Sequence, residues 1–298
     1  MRRSGVNLIF RKLTVEFLAV FALVSCSARW SNAAAEPHRE SITNSSFSNE
    51  RVEFFWSKPA GKGPFPMIVF LHGHQGPVGN RIGGRAFVDW GVLENYTQAG
   101  FVAVSVSQPG YGGSEGKPDF CGPRTQAVRT LIDHFRTLKF IAPKKIAVQG
   151  VSRGAVVAAM VATRDPNLRA VVLISGVYNL KSFYNDQCAN GPKTAIADSI
   201  CRSIRQEMSI DEQEFANRSA INYAKRIKAE VLILHGAEDQ NAPAGQAQAF
   251  AEALRKAGVT VEFEIFPGVN HQVPLATRQP IINSFLKRAL GVAQELPQ

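Results

Sequence analysis

Long apolar runs, internal repeats and cysteine motifs are all missing from this chain of 298 residues. No apolar run reaches the roughly 18 residues that a membrane-spanning helix needs. No unit of roughly 20 to 50 residues recurs, which argues against a solenoid, and no heptad pattern indicates a coiled coil. Hydrophobic residues make up 45% of the chain and charged residues 19%. This composition is typical of one globular domain with a large core.

Clusters of positive charge are also scarce once the first 35 residues are set aside. The net charge is +10, from 34 basic and 24 acidic residues. The first 35 residues hold five of the basic residues and one of the acidic residues, so the remainder has 34 − 5 = 29 against 24 − 1 = 23, a net charge of +6. No run of five Lys or Arg occurs in that remainder. We therefore expect no nucleic-acid partner.

Residues 1–35 have the three-part layout of a secretory signal peptide: a basic segment, an apolar stretch and then small residues. Two processing sites stay open. Residues 23–26 resemble a lipoprotein box, in which Cys26 would carry a lipid anchor, whereas residues 33–35 resemble an ordinary cleavage site. Glu16 is costly inside the apolar stretch, which leaves an unprocessed arm as a third interpretation. We expect an exported protein that is periplasmic, secreted or anchored to a membrane as a lipoprotein.

The four cysteines are Cys26, Cys121, Cys188 and Cys201, and no two of them form a C-x-x-C pair. Neither a zinc ribbon nor a thioredoxin-like site is therefore indicated. An oxidising compartment permits a disulfide, and sequence separation favours Cys188 with Cys201. The alternative is three buried, unpaired thiols.

Short apolar runs alternate with helical patterns from about Arg51 onward, which predicts an α/β fold with a mostly parallel sheet. The predicted strands are Val52–Trp56, Met67–Leu71, Val102–Val106, Ile146–Gln149, Ala170–Ile174, Val231–Leu234 and Val261–Phe266. Several runs show no polar alternation, as expected for strands that helices cover on both faces. We expect one catalytic domain over 51–298, preceded by an N-terminal arm over 36–50.

The predicted helices separate these strands. An apolar stripe runs from Val128 to Leu138, and further helices span Ala155–Ala162, the stretch from near Pro243 to Gly258, and Arg278–Leu290. About fifty residues separate the strand that ends near Ser175 from the next strand. This length predicts a helical lid over 176–229, since long insertions often serve function. The alternative is an extra helical layer without substrate contact.

The pattern G-x-S-x-G occurs twice, around Ser114 and around Ser152. A nucleophile at this pattern needs a strand before it and a helix after it, because a sharp turn exposes the hydroxyl. Ser152 lies between a predicted strand and a predicted helix. Pro118 follows Ser114 closely and prevents a helix there, so we interpret 109–116 as a structural loop.

A serine nucleophile requires a base and a carboxylate. His271 follows the last predicted strand and is the best candidate for the base among six histidines. Asp239 follows the strand before it and is the favoured carboxylate, with Glu238 as the alternative. For the oxyanion hole, we expect the backbone N–H groups of Arg153 and of His74.

The pair His72 and His74 could instead begin a metal site, but no further ligand follows at a suitable spacing. We therefore expect neither a metal nor a cofactor.

The chain resembles the α/β-hydrolase fold over about 51–290. It is most similar to the dienelactone hydrolase and prolyl oligopeptidase catalytic-domain group, through Pro109-Gly110-Tyr111-Gly112, Gly150-Val151-Ser152-Arg153-Gly154 and His235-Gly236-Ala237-Glu238-Asp239. The resemblance implies a central sheet with helices on both faces and a Ser-His-Asp mechanism. Dienelactone hydrolases usually carry a cysteine as the nucleophile, whereas this chain has Ser152 in the motif.

These observations predict a serine hydrolase that cleaves carboxylic esters through an acyl-enzyme. Esters are preferred over peptides because peptidases of this group usually carry a large propeller domain, and no such domain fits here. The first alternative is a serine peptidase of prolyl oligopeptidase type that acts on short peptides. The second is a catalytically silent binding protein with the same fold.

Overall fold

An eight-stranded sheet organises the part of the chain that the computed structural model describes, residues 37–44, 49–76, 81–191 and 194–292. In chain order the strands are β1 (His38–Asn44), β2 (Glu50–Ser57), β3 (Phe65–Leu71), β4 (Val102–Val106), β5 (Ile141–Val151), β6 (Ala170–Ile174), β7 (Glu230–Gly236) and β8 (Val261–Phe266). Their order across the sheet is β1-β2-β4-β3-β5-β6-β7-β8. Strands β3 to β8 are parallel, and β1 and β2 are antiparallel.

The helices in the described residues are α1 (Arg85–Asp89), α2 (Val92–Gln98), α3 (Gln126–Arg136), α4 (Arg153–Ala162), α5 (Leu180–Tyr184), α6 (Ala195–Glu207), α7 (Glu212–Asn217), α8 (Gly245–Lys256) and α9 (Leu275–Leu290). Side chains of α3, α4 and α8 pack in one core cluster, and those of α1, α2 and α9 pack in another. The two clusters take alternate residues of the same strands, such as Val69 and Phe70 of β3. The sheet therefore has helices on both faces, which confirms the predicted fold class.

Several boundaries differ from the sequence predictions, and β5 extends beyond its predicted range at both ends. The predicted arm over 36–50 contains β1, which pairs along β2. Most of β1 is exposed, so this edge strand lacks the apolar pattern that reveals buried strands. Leu138 lies beyond the end of α3 at Arg136. Helix α9 begins before Arg278 and ends at Leu290, and Gly291 after it adopts a left-handed conformation.

The chain between β6 and β7 forms a helical insertion, which we call the insertion (176–229). It contains α5, a π-helical turn (Asn185–Ala189), α6, α7 and a 3-10 stretch (Ala220–Arg226). A disulfide joins Cys188 in the π-helical turn to Cys201 in α6, which confirms the favoured pairing. Cys121 is buried and unpaired.

The predicted leader over 1–35 and the lipid-anchor site at Cys26 lie outside the described residues. None of the helices in the described ranges has both the length and the apolar character to cross a membrane.

Candidate active site

Ser152 lies on a sharp turn between β5 and α4. Its backbone has φ of 54° and ψ of −120°, a conformation that residues other than glycine rarely adopt. Glycines flank this turn for steric reasons. A Cβ atom at Gly150 would collide with the carbonyl of Gly154, and one at Gly154 would collide with the carbonyl of Leu71. The G-x-S-x-G pattern is therefore what allows the strained turn to pack against β3.

The turn presents the Ser152 hydroxyl to an imidazole. Ser152 Oγ lies 3.0 Å from Nε2 of His271, and Nδ1 of His271 lies 2.7 Å from Oδ2 of Asp239. The three residues follow β5, β8 and β7, whose carboxyl ends meet at one edge of the parallel sheet. We assign the ring proton to Nδ1, which donates to Asp239 and leaves Nε2 to accept from the serine. This arrangement can remove the hydroxyl proton from Ser152.

Asp239 is buried and held by four hydrogen-bonding contacts. Its Oδ1 accepts from the backbone N–H groups of Asn241 and Ala242, each at 2.9 Å. Its Oδ2 faces Nδ1 of His271 and also Nε2 of His235, at 3.1 Å. Burial would raise the pKa of Asp239, but the hydrogen bonds from His235, His271 and Ala242 hold that pKa well below its usual range. The carboxylate is therefore ionised beside the imidazole.

The structure separates Asp239 from its sequence neighbour. Glu238 is exposed and Asp239 is the residue that contacts His271. His235, at the end of β7, makes a structural contact: it donates to the carbonyl of Ala242 at 2.7 Å. Its additional contact with Asp239 was not predicted, because a histidine at a strand end carries no signal for that partner.

The loop after β3 packs against the Ser152 turn. A Cβ atom at Gly73 would lie 3.2 Å from the carbonyl oxygen of Val151 and 3.4 Å from Cβ of Ser152. This contact places His74 close to the nucleophile. Arg153 is the first residue of α4, so its backbone N–H is among the helix N-terminal groups that have no acceptor within the helix. Both expected oxyanion donors therefore belong to segments adjoining Ser152.

The side chains of His72 and His74 bind different partners and do not converge as a pair of metal ligands. His72 is buried, its Nε2 accepts from the backbone of Gln108 at 3.2 Å, and burial lowers its pKa to about 4. His74 is joined through Nε2 to Ser199 Oγ at 3.0 Å. Within the described part of the chain, no three His, Cys, Asp or Glu side chains converge as a metal site would require.

The second G-x-S-x-G segment has a structural role, as predicted. Ser114 Oγ donates to the carbonyl of Ser107 at 2.6 Å and accepts from the backbone of Glu53 at 2.8 Å. No helix follows it. Its hydroxyl ties a loop to β2.

A small cavity of about 20 Å³ adjoins Ser152 and His271, with room for about one water molecule. The apolar side chains that line it are Phe120, Val156, Val177, Phe183, Ile200 and Ala242. A more open hollow of about 520 Å³ also has His271 in its wall, with Gln240 and Gln272 among its polar side chains. Phe183 and Ile200 belong to the insertion, so the insertion forms part of the site wall.

Two protein-family models match this chain, and the matched ranges include residues of the candidate site. Residues 125–291 match the sequence model of the prolyl oligopeptidase family, and residues 46–200 match that of the X-Pro dipeptidyl-peptidases of the S15 family. Each match spans more than half of the chain. The first match includes Ser152, Asp239 and His271.

Curated relatives and solved structures agree with these matches. Two relatives from Bacillus subtilis are 24% identical: the uncharacterised peptidase YuxL, over 72% of this chain and 32% of its own, and the uncharacterised peptidase YtmA, over 78% of this chain and 86% of its own. The acylaminoacyl peptidase of Pyrococcus horikoshii superimposes with a TM-score of 0.68 and 20% identity, over 88% of this chain and 43% of its own. The chain thus spans less than half of YuxL and of the archaeal enzyme, and the structural likeness shows the fold.

Proposed function

This chain belongs to the prolyl oligopeptidase family, and on that premise we propose that it is a serine peptidase that cleaves short peptides by acyl transfer. The observation that carries the proposal is the hydrogen-bonded series from Ser152 through His271 to Asp239. A positioned base and a buried carboxylate are what a serine needs to act as a nucleophile.

We propose peptides as the substrates, in place of the esters that the sequence predicted. The prediction of esters depended on the lack of a propeller domain. YtmA is named a peptidase, and 86% of its length is covered by a match to this chain. A protein that this chain matches over most of its length is therefore named a peptidase, and the family matches favour cleavage of peptide bonds.

The geometry supports an acyl-transfer mechanism. Ser152 Oγ attacks the carbonyl carbon while His271 Nε2 takes its proton, and Asp239 stabilises the resulting imidazolium. The tetrahedral oxyanion accepts hydrogen bonds from the backbone N–H groups of Arg153 and His74. His271 then gives its proton to the leaving amine. A water molecule, deprotonated by the same imidazole, releases the acyl group from Ser152.

Two features bear on substrate and location. The apolar cavity beside Ser152 holds about 20 Å³, which favours a small apolar group next to the scissile bond. We also propose that the protein is exported, a location supported by the disulfide between Cys188 and Cys201 and by the leader pattern.

The test compares two serines that share the same motif. The native protein should hydrolyse a short peptide anilide faster than a small aryl ester and should take up a fluorophosphonate label on the Ser152 peptide. Ser152→Ala should abolish both, and the matched control Ser114→Ala should keep both. A folded native protein that is neither labelled nor active contradicts the proposal. Ligand binding that is unaffected by Ser152→Ala in such a protein would identify the silent binding protein instead.

A further inference from the structure

Helix α6 of the insertion contacts Arg153 and His74, the two residues whose backbone N–H groups bind the oxyanion in the proposed mechanism. Ser199 Oγ lies 3.0 Å from Nε2 of His74, and Glu207 Oε2 lies 2.6 Å from a guanidinium nitrogen of Arg153. Eight residues span about two helical turns, so both contacts are made from the same side of α6. We propose that Ser199 and Glu207 are positioning residues that orient the two oxyanion donors. This inference rests on the proposed function.

The contact at the Ser152 turn is a buried ion pair. The side chains of Arg153 and Glu207 are 5% and 8% exposed. Arg153 donates to both carboxylate oxygens, at 3.2 Å and 2.6 Å, which fixes the plane of the guanidinium as well as its position. The rings of Tyr111 and Phe120 lie 5.5 Å and 4.9 Å from the guanidinium carbon. Arg153 is thus held from several directions.

Glu207 connects three segments of the chain. Besides Arg153, its Oε2 accepts from the backbone N–H of Phe120 at 2.9 Å, and Phe120 lines the cavity beside Ser152. A buried ion pair gives little net stability, because desolvation of the charges offsets their attraction, and apolar side chains of similar volume would often serve as well. The ion pair between Glu207 and Arg153, the residue directly after the nucleophile, therefore fits a role in orienting Arg153.

The contact at the β3 loop fixes the His74 ring. Burial, together with the positive charge of Arg153, lowers the pKa of His74, so the ring is neutral near pH 7. Its Nδ1 is buried and has no partner within the described residues. The bond to Ser199 is therefore the one that anchors the ring. Loss of that bond would free the His74 ring beside the Ser152 turn, while the bonds between Gln75 and Gly83 still hold the rest of the loop.

Helix α6 is itself held in place between the two contacts. Cys201 lies two residues after Ser199 and is joined to Cys188 by the disulfide. Arg205 donates to the carbonyl of Cys188 at 2.9 Å. These links bind α6 to the π-helical turn, so that it can act as a fixed support for the Ser152 turn and the β3 loop.

The test uses two variants, each of which weakens one of the two contacts. Glu207→Gln removes the charge from one contact, and Ser199→Ala removes one oxygen atom from the other. The matched control is Asp198→Asn on the same helix, whose exposed carboxylate pairs with Arg202. For each protein, kcat and KM are measured with a peptide anilide, affinity is measured for a peptide aldehyde whose adduct carries an oxyanion, and thermal unfolding is recorded.

We expect kcat to fall about 10-fold or more in Glu207→Gln and in Ser199→Ala, less than the about 10²- to 10³-fold loss for a deleted donor. KM should change by less than about threefold, and aldehyde affinity should fall in parallel with kcat/KM, because only transition-state contacts weaken. Asp198→Asn should match the native protein in all three measurements.

Native kcat and aldehyde affinity in both variants, with only a lower melting temperature, would overturn the inference. If Glu207→Gln does not fold, Ser199→Ala decides the outcome alone, since it removes one oxygen from a folded helix. Failure of the proposed function itself is recognised separately, by full activity in Ser152→Ala.

Discussion

Replacement of Asp239 by asparagine should remove nearly all activity and also destabilise the fold, because an NH₂ donor replaces a carboxylate oxygen that accepts hydrogen bonds. The carboxylate accepts from the backbone of Asn241 and Ala242 through Oδ1, and it faces His271 and His235 through Oδ2. An asparagine side chain has one oxygen and one NH₂ group. If the oxygen keeps the two backbone bonds, the NH₂ group faces both imidazoles.

The effect on activity comes through the tautomer of His271. Its Nδ1 would have to accept from the amide, which moves the ring proton to Nε2, and a protonated Nε2 cannot take the proton of Ser152. We expect kcat to fall by about 10⁴-fold, or about 5.4 kcal/mol of activation free energy at 1.36 kcal/mol for each factor of ten.

The effect on stability comes through His235. Its Nε2 lies 2.7 Å from the carbonyl of Ala242 and must carry its proton there, so the new NH₂ group would meet another donor. A buried donor without an acceptor costs about 1 to 3 kcal/mol. For a domain of this size that lowers the melting temperature by about 2 to 12 °C.

The assay measures kcat with a peptide anilide and melting by circular dichroism, with Glu238→Gln as the matched control. Glu238 is exposed and lies next to Asp239, so its replacement should leave both values near native. The reasoning is refuted if Asp239→Asn keeps more than about a tenth of the native kcat, since the tautomer argument demands a far larger loss. It is equally refuted if Glu238→Gln is the inactive variant.

Two further predictions concern stability. Replacement of Cys188 and Cys201 by serine should lower the free energy of unfolding by about 3 kcal/mol, because the disulfide closes a loop with a sequence separation of 13 residues; equal urea midpoints for the native and variant proteins under oxidising conditions would contradict this. The folded-state pKa of Asp239 is lowered, so its contribution to stability is complete above about pH 4 and is lost as the pH falls through the folded-state value. Urea unfolding should therefore show a smaller acid-induced loss of stability in Asp239→Asn than in the native protein, and an equal loss in both would argue against the lowered pKa.

Most of the central sheet could be predicted because its strands are buried on both faces. β4 and β6 lie at the predicted residues, Val102–Val106 and Ala170–Ile174. Helices α1 and α2 have only five and seven residues, too short for a clear apolar period. The edge strand β1 is largely exposed, so its residues carry no pattern of burial.

Some residues of the candidate site could likewise be predicted from the sequence and others could not. Ser152, His271 and Asp239 could be chosen from a local motif and from their positions after predicted strands. The partners on α6 could not, because Glu207 at a helix end and Ser199 within a helix resemble solvated residues in the sequence. The choice between ester and peptide substrates was also beyond the motif, which serves both bonds.

The sequence by itself determined the sharp turn at Ser152 and the order of the residues around it, because glycines, strand patterns and short motifs act over a few neighbouring positions. Only the tertiary structure decided which carboxylate reaches His271 and what holds Arg153 and His74. Those contacts depend on the register of parallel strands and on the packing of the insertion. They join residues 54 and 125 positions apart, a separation over which no local pattern extends.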